Sequence, residues 1–162
     1  MHSLVDLDNT LLDTYHIDEQ GVFHFNWSKD FEKDFSVSAD ILHELFDGPF
    51  LIALQKTKSL ERFIAPFLAK HKLDISVSDF LEYWLSRDMQ INEPVWEWIK
   101  AEKTKGHFFH IASNQPHIRM DYILENLKEW NEVFDFVFTS ARLGVSKSDA
   151  SFFIYAKNYL KV

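Results

Sequence analysis

The pentapeptide Asp6-Leu7-Asp8-Asn9-Thr10 places two carboxylates two residues apart and a hydroxyl two positions further on. With 14 Asp among 162 residues, an Asp-x-Asp pair is expected about once by chance, and the added threonine makes a chance match uncommon. The ordinary use of such a segment is a turn whose aspartates cap backbone amides. The chemical use is phosphoryl transfer. One carboxylate attacks phosphorus and becomes an aspartyl-phosphate. The other protonates the leaving oxygen, then takes a proton from the attacking water. Two anions facing an anionic substrate call for a cation, and hard oxygen donors suit Mg²⁺.

Two further groups fit that chemistry. Ser113-Asn114 precedes Pro116, where a helix is expected to open, so a hydroxyl meets free helix N-terminal amides in a phosphate cradle. Lys147, ahead of the last helical segment, can clamp a phosphate. Each is ordinary alone, as a turn residue or a solvated lysine. Their order along the chain joins them to the aspartates. The eight histidines offer no comparable pattern: His107 and His110, three apart on a strand, face opposite sides. Trp84, Trp96 and Trp98 can line a pocket, although such rings are more often core. Arg62, Arg87 and Arg119 can meet a second anionic group, and nothing in the sequence chooses among them.

The elements that must position these residues read β…αβαβα. Ser3–Leu7 is a short apolar run that turns acidic, as a buried strand does at its carboxyl end. Residues 15–27 alternate weakly around Gly21, as in a small hairpin or loop. From Ser28 to about residue 90 the periodicity is helical, with about four helices and N-caps expected at Ser28, Ser38, Ser59 and Ser78. Asn92-Glu93-Pro94 opens a helix that Gly106 ends. Strands follow at 107–112 and 133–139, separated by a helix from Pro116 to about Glu129. Ser148 is expected to cap a final helix to Leu160. The alternation implies a parallel sheet with helical crossovers and a helical insertion after the first strand. Ligands of such sheets lie beyond the carboxyl ends of the strands, where Asp6, Asp8 and Ser113 fall.

Composition narrows the class. Apolar residues make up 46% and charged residues 26%, as in a folded domain. Cysteine is absent, which removes thiol catalysis, disulfides and zinc-thiolate sites. A net charge of −8 argues against nucleic acid as a partner. No apolar run is long enough to span a membrane, and Met1-His2-Ser3 lacks the features of a signal peptide, so no membrane partner and a cytoplasmic location are expected. The 26 aromatic rings, 16 of them Phe, suggest bulky helix packing or an apolar face awaiting cover.

Leu4-Val5-Asp6-Leu7-Asp8-Asn9-Thr10-Leu11 resembles the first motif of the haloacid dehalogenase-like (HAD) hydrolase superfamily. Ile111-Ala112-Ser113-Asn114 resembles its second, and Gly144-Val145-Ser146-Lys147-Ser148-Asp149 begins a stretch that resembles its third. The resemblance implies an α/β fold, a Rossmann-like parallel sheet in residues 1–14 and 92–162, with an inserted all-helical cap in 15–91. It implies Asp6 as nucleophile and Mg²⁺ ligand. It implies Asp8 as general acid/base, binding the metal through its backbone carbonyl. Thr10 would orient the site, and Ser113, Asn114 and Lys147 would hold the phosphoryl oxygens. The implied activity is hydrolysis of a small phosphorylated metabolite, a sugar phosphate or nucleotide. Asp8 favours phosphoryl transfer over carbon–halogen cleavage, because true haloacid dehalogenases lack the second aspartate.

The chain departs from the family pattern twice. Ser148 replaces a usual proline, and only one acid, Asp149, follows Lys147, so the family's fourth, acidic motif is missing. Weak Mg²⁺ binding follows, as does an open apolar edge on the Leu4-Val5 strand. Either the chain is a truncated form of a longer protein, the favoured reading, or a homodimer mate or other partner covers that edge. The alternatives to a phosphatase are an impaired HAD-like module serving in binding or assembly, and a dehalogenase or phosphomutase of the same superfamily.

Overall fold

The computed structural model describes residues 1–54 and 59–162. Strands β1 (His2–Val5), β4 (Phe108–Ser113) and β5 (Phe134–Thr139) form a three-stranded parallel sheet in the order β1-β4-β5. Val5 pairs with Ile111, and Ser113 with Thr139, so the carboxyl ends line up at one edge. Helices α6 (Glu93–Thr104) and α7 (His117–Asn126) supply Trp96, Ile99, Met120 and Ile123, which pack with Phe109 and Ile111. Residues of opposite parity, Ala112 and Phe138, pack with Phe152 and Ala156 of α10 (Ala150–Leu160). Short helices α8 (Trp130–Val133) and α9 (Ser140–Leu143) flank β5. The sheet and its crossovers are those the sequence implies.

The insertion between β1 and α6 opens with an antiparallel hairpin, β2 (Tyr15–Ile17) and β3 (Phe23–Phe25). It continues as helices α1 (Phe31–Phe35), α2 (Leu42–Asp47), α3 (Pro49–Ala53), α4 (Glu61–Lys70) and α5 (Val77–Arg87). Its own core gathers Trp27, Phe31, Phe46, Phe67, Phe80 and Trp84. Rings are packed edge to face there, as between Phe46 and Trp84 at 4.9 Å, which accounts for much of the aromatic richness. Ile118 and Tyr122 of α7 pack against this core, and the Tyr122 hydroxyl donates to Glu82 at 3.0 Å. The two connections of the insertion lie side by side in a short stem. The Asp13 amide donates to the Gln90 carbonyl at 2.8 Å, and the Asn92 amide to the Leu11 carbonyl at 2.9 Å.

The helix caps differ from expectation at four serines. Ser38 does accept the Asp40 amide, and Asn92 accepts that of Val95. Ser28 instead ends a 3₁₀ turn, and its hydroxyl donates to the Phe25 carbonyl. Leu60, not Ser59, precedes α4, while the Ser59 hydroxyl donates to Glu61. Ser76 rather than Ser78 caps α5, accepting the Asp79 amide at 3.1 Å. Asp149 rather than Ser148 caps α10, accepting the Ser151 amide at 2.8 Å. Each of the last two segments carries two polar residues that can cap, and spacing alone does not choose between them. Helix α7 also stops at Asn126, three residues earlier than Glu129, and α8 follows as a separate turn. Among the described residues no helix is long and apolar enough to cross a membrane.

Candidate active site

The carboxyl end of β1 runs into a tight turn. The amides of Leu11 and Leu12 both donate to the Leu7 carbonyl, at 2.9 and 3.0 Å. Asn9 has a left-handed backbone, φ 49°, a conformation that asparagine tolerates better than most residues. Its side chain then locks the turn to the start of the insertion. Asn9 Oδ1 accepts from the Thr14 amide, the Thr14 hydroxyl and the Tyr15 amide, each at 3.1 Å, and Nδ2 donates to the Tyr15 carbonyl at 2.9 Å.

This turn brings Asp6 and Asp8 to the strand ends with different surroundings. Asp6 is half-exposed: Oδ1 accepts the Leu7 amide at 2.8 Å, and Oδ2 lies 2.5 Å from Lys147 Nζ. Asp8 is held from the other side. Its Oδ2 accepts from Gln115 Nε2 at 2.6 Å, and its Oδ1 lies 2.8 Å from Arg119 Nη1. Ser113 is buried, 1% exposed, at the end of β4, and its hydroxyl accepts from the same Gln115 nitrogen at 3.2 Å. Asn114 reaches the third loop, where its Oδ1 accepts the Lys147 amide at 2.8 Å and the Ser146 hydroxyl at 3.3 Å. Thr10 sits in the turn, with its amide donating to the Leu7 carbonyl at 3.3 Å.

Contacts join Asp6, Lys147 and Asn114 in one group, and Gln115 joins Asp8 to Ser113 in a second; the two groups meet where Asn114 follows Ser113 in the chain. The contact seen for Asn114 is with the loop that carries Lys147, which fits a residue that positions the lysine. Arg119, one of three arginines the sequence left equal, is the one at the site. Arg87 instead lies over the Tyr83 ring, 3.8 Å from its centre. Of the three tryptophans considered, Trp84 is buried beside the site, Trp96 is core, and Trp98 is 54% exposed.

Three site residues escape a reading of motifs. Gln115 shares the parity of Ser113, which is the one signal that could have marked it. Arg119 stands four residues later, one turn along α7, and its Nη1 donates to Gln115 Oε1 at 2.7 Å. Asp88 follows α5, far away in sequence, and its Oδ2 lies 2.9 Å from Arg119 Nε while accepting Trp84 Nε1 at 3.1 Å. Burial pushes the Asp88 carboxyl up to about 6, even against the pull of Arg119. Arg119 is also buried, which disfavours its charge, but Asp8 and Asp88 outweigh that and raise its pKa.

The donor set fits Mg²⁺ of the kind that keeps most of its water. Asp6 offers a half-exposed carboxylate, and Lys147 Nζ at 2.5 Å from its Oδ2 shows that this oxygen already meets a cation. No group of three acidic or histidine side chains converges among the described residues, so protein ligands are few.

No family model and no curated protein matches the sequence. Solved structures do match. A HAD family enzyme from Bacteroides thetaiotaomicron superposes with a TM-score of 0.70 at 15% identity, over 98% of this chain and 77% of that one. An aspartate-to-alanine mutant of that enzyme, in complex with magnesium and inorganic phosphate, gives 0.72 at 14% identity, over 99% and 78%. A predicted HAD-like family hydrolase from Porphyromonas gingivalis gives 0.66 at 16% identity, over 99% and 76%. With the parallel sheet and the insertion after β1, these likenesses show that the chain has the HAD-like fold.

Proposed function

We propose that the chain is a Mg²⁺-dependent phosphatase that hydrolyses a small phosphomonoester through an aspartyl-phosphate at Asp6. The observation that carries this reading is the different setting of the two carboxylates. Asp6 is open and faces Lys147, while Asp8 is gripped by Gln115 and Arg119. A nucleophile must be reachable, and an acid/base must be aimed.

The chemistry runs in two displacements. Asp6 Oδ attacks phosphorus, the bond to the leaving oxygen breaks, and Asp8 gives that oxygen its proton. Water then attacks the phosphorus of the aspartyl-phosphate, Asp8 takes the proton from water, and inorganic phosphate and the Asp6 carboxylate are released. Lys147 must leave Asp6 for the phosphoryl oxygens, and Ser113 and the amides near Pro116 face those oxygens. Asp6 and the Asp8 carbonyl would hold Mg²⁺, which supplies charge neutralisation between carboxylate and phosphate. The residues 15–91 act as a cap over the site, which excludes bulk water during transfer. The phosphoryl donor belongs to the sugar phosphates, nucleotides and other small phosphomonoesters.

The test is phosphate release from an aryl phosphate with and without Mg²⁺, with Asp6→Asn alongside. Release that needs Mg²⁺ and disappears in the variant is the expected result. A folded chain that releases none supports the binding or assembly role instead, and activity near wild type in Asp6→Asn removes the nucleophile.

A further inference from the structure

Asp88 belongs to the insertion, yet one side chain, Arg119 of α7, separates it from Asp8. Asp88 is buried, and Trp84 holds it at two points. Its amide donates to the Trp84 carbonyl at 3.0 Å, and its Oδ2 accepts from Trp84 Nε1 at 3.1 Å. The same Oδ2 forms an ion pair with Arg119, 2.9 Å from Nε. On its other side the buried Arg119 has Nη1 2.8 Å from Asp8 Oδ1, and Nη1 donates to Gln115 Oε1 at 2.7 Å. A guanidinium is a rigid plane, and contacts at one nitrogen leave that plane free to turn about it. Asp8 and Gln115 both meet Nη1, so they fix one point. Asp88, at Nε, fixes the second. Nη2 makes no hydrogen bond among the described residues, so no third polar contact holds the plane.

We propose that Asp88 is a positioning residue for proton transfer at Asp8: through Arg119 it holds the Asp8 carboxylate at the angle from which the leaving oxygen receives its proton. The proposal rests on the phosphatase reading above. It gives the insertion a share in the chemistry itself, because a residue of the insertion sets the aim of an acid that stands after β1. Loss of Asp88 misdirects that acid without removing it. Asp8 Oδ2 keeps its Gln115 donor when Oδ1 loses a well-placed guanidinium, so the carboxylate stays in the site at a changed angle. Proton transfer between positioned groups is sensitive to small misplacements.

Two phosphomonoesters separate this role from a merely structural one. p-Nitrophenolate leaves without a proton, whereas the oxygen of benzyl phosphate needs one as its bond to phosphorus breaks. The ratio of their kcat/KM values does not depend on how much of a variant is folded. In the full chain at saturating Mg²⁺, Asp88→Ala is expected to lower kcat/KM about 30-fold for benzyl phosphate and no more than about threefold for p-nitrophenyl phosphate. Asp88→Asn keeps an oxygen for Arg119 Nε and Trp84 Nε1, and is expected to recover roughly tenfold of the loss on benzyl phosphate. If the alanine variant does not fold, Asp88→Ser, which shortens the side chain and stays polar, is read in the same way. Equal losses on the two esters, or an asparagine variant as impaired as the alanine one, overturn the proposal and leave the phosphatase reading standing. A parent chain that hydrolyses neither ester removes that reading and the proposal with it.

Discussion

Asp88 and Arg119 meet across the seam between insertion and sheet, with Asp88 Oδ2 2.9 Å from Arg119 Nε and both side chains buried. Their contact has a consequence for stability. The unfolded Asp88 carboxyl titrates near 3.9, and burial raises it to about 6 in the fold. Between about pH 4 and 6 the folded chain therefore keeps a proton that the unfolded chain has lost. Stability from this group is present at the acid end and falls as pH rises through that window, by on the order of 3 kcal/mol. Asp88→Asn is expected to flatten that part of the profile. Urea unfolding at several values from pH 4.5 to 7 measures it, and identical slopes in both proteins would contradict the assignment.

Gln115 aims Asp8 and touches Ser113, so it is a positioning residue. Gln115→Leu removes the 2.6 Å donor to Asp8 Oδ2 and is expected to lower kcat by about 10- to 100-fold. KM should change little, because no phosphoryl contact is removed. Steady-state kinetics at saturating Mg²⁺ separates the two parameters; a rise in KM with kcat intact would place Gln115 in substrate binding instead.

Asn9 combines a left-handed backbone with four side-chain hydrogen bonds. Asn9→Ala loses both and is expected to destabilise the chain by about 2 kcal/mol. Asn9→Gly restores the backbone freedom but none of the bonds, so its loss should be smaller. Thermal unfolding orders the three proteins, and an alanine variant as stable as the parent would show that the turn is held elsewhere.

Among the described residues no three His, Asp or Glu side chains converge, so Mg²⁺ alone is expected to bind weakly, and more tightly when phosphate is present. Calorimetric titration with and without inorganic phosphate measures this. A tight, enthalpically clear site in the absence of phosphate would refute it.

The strand–helix rhythm of the sheet was legible because each element there has its own signal. Asp6 and Asp8 end an apolar run, Gly106 takes the positive φ that closes α6, and Pro116 opens α7. The first, second and third loops could be placed at one edge from the rule that parallel strands point the same way. The second ring of the site could not. Arg119 looks like any helical arginine until its burial between two carboxylates is known, and Asp88 reaches it through a tertiary contact that no local pattern encodes. The caps at Ser76 and Asp149 show the same limit at short range, since neighbours of equal capping ability are decided by packing.

The stem formed by Leu11–Asp13 and Gln90–Asn92 ties the way into the insertion to the way out. Because these two backbones are bonded to each other, neither connection is free to bend alone. Asn9 fastens the turn after β1 to the start of the insertion, and Asp88 stands two residues before the stem on the way out. Asp88 and Asp8 both meet the one buried guanidinium of Arg119, so the exit from the insertion and the Asp8 carboxylate share a single charged anchor.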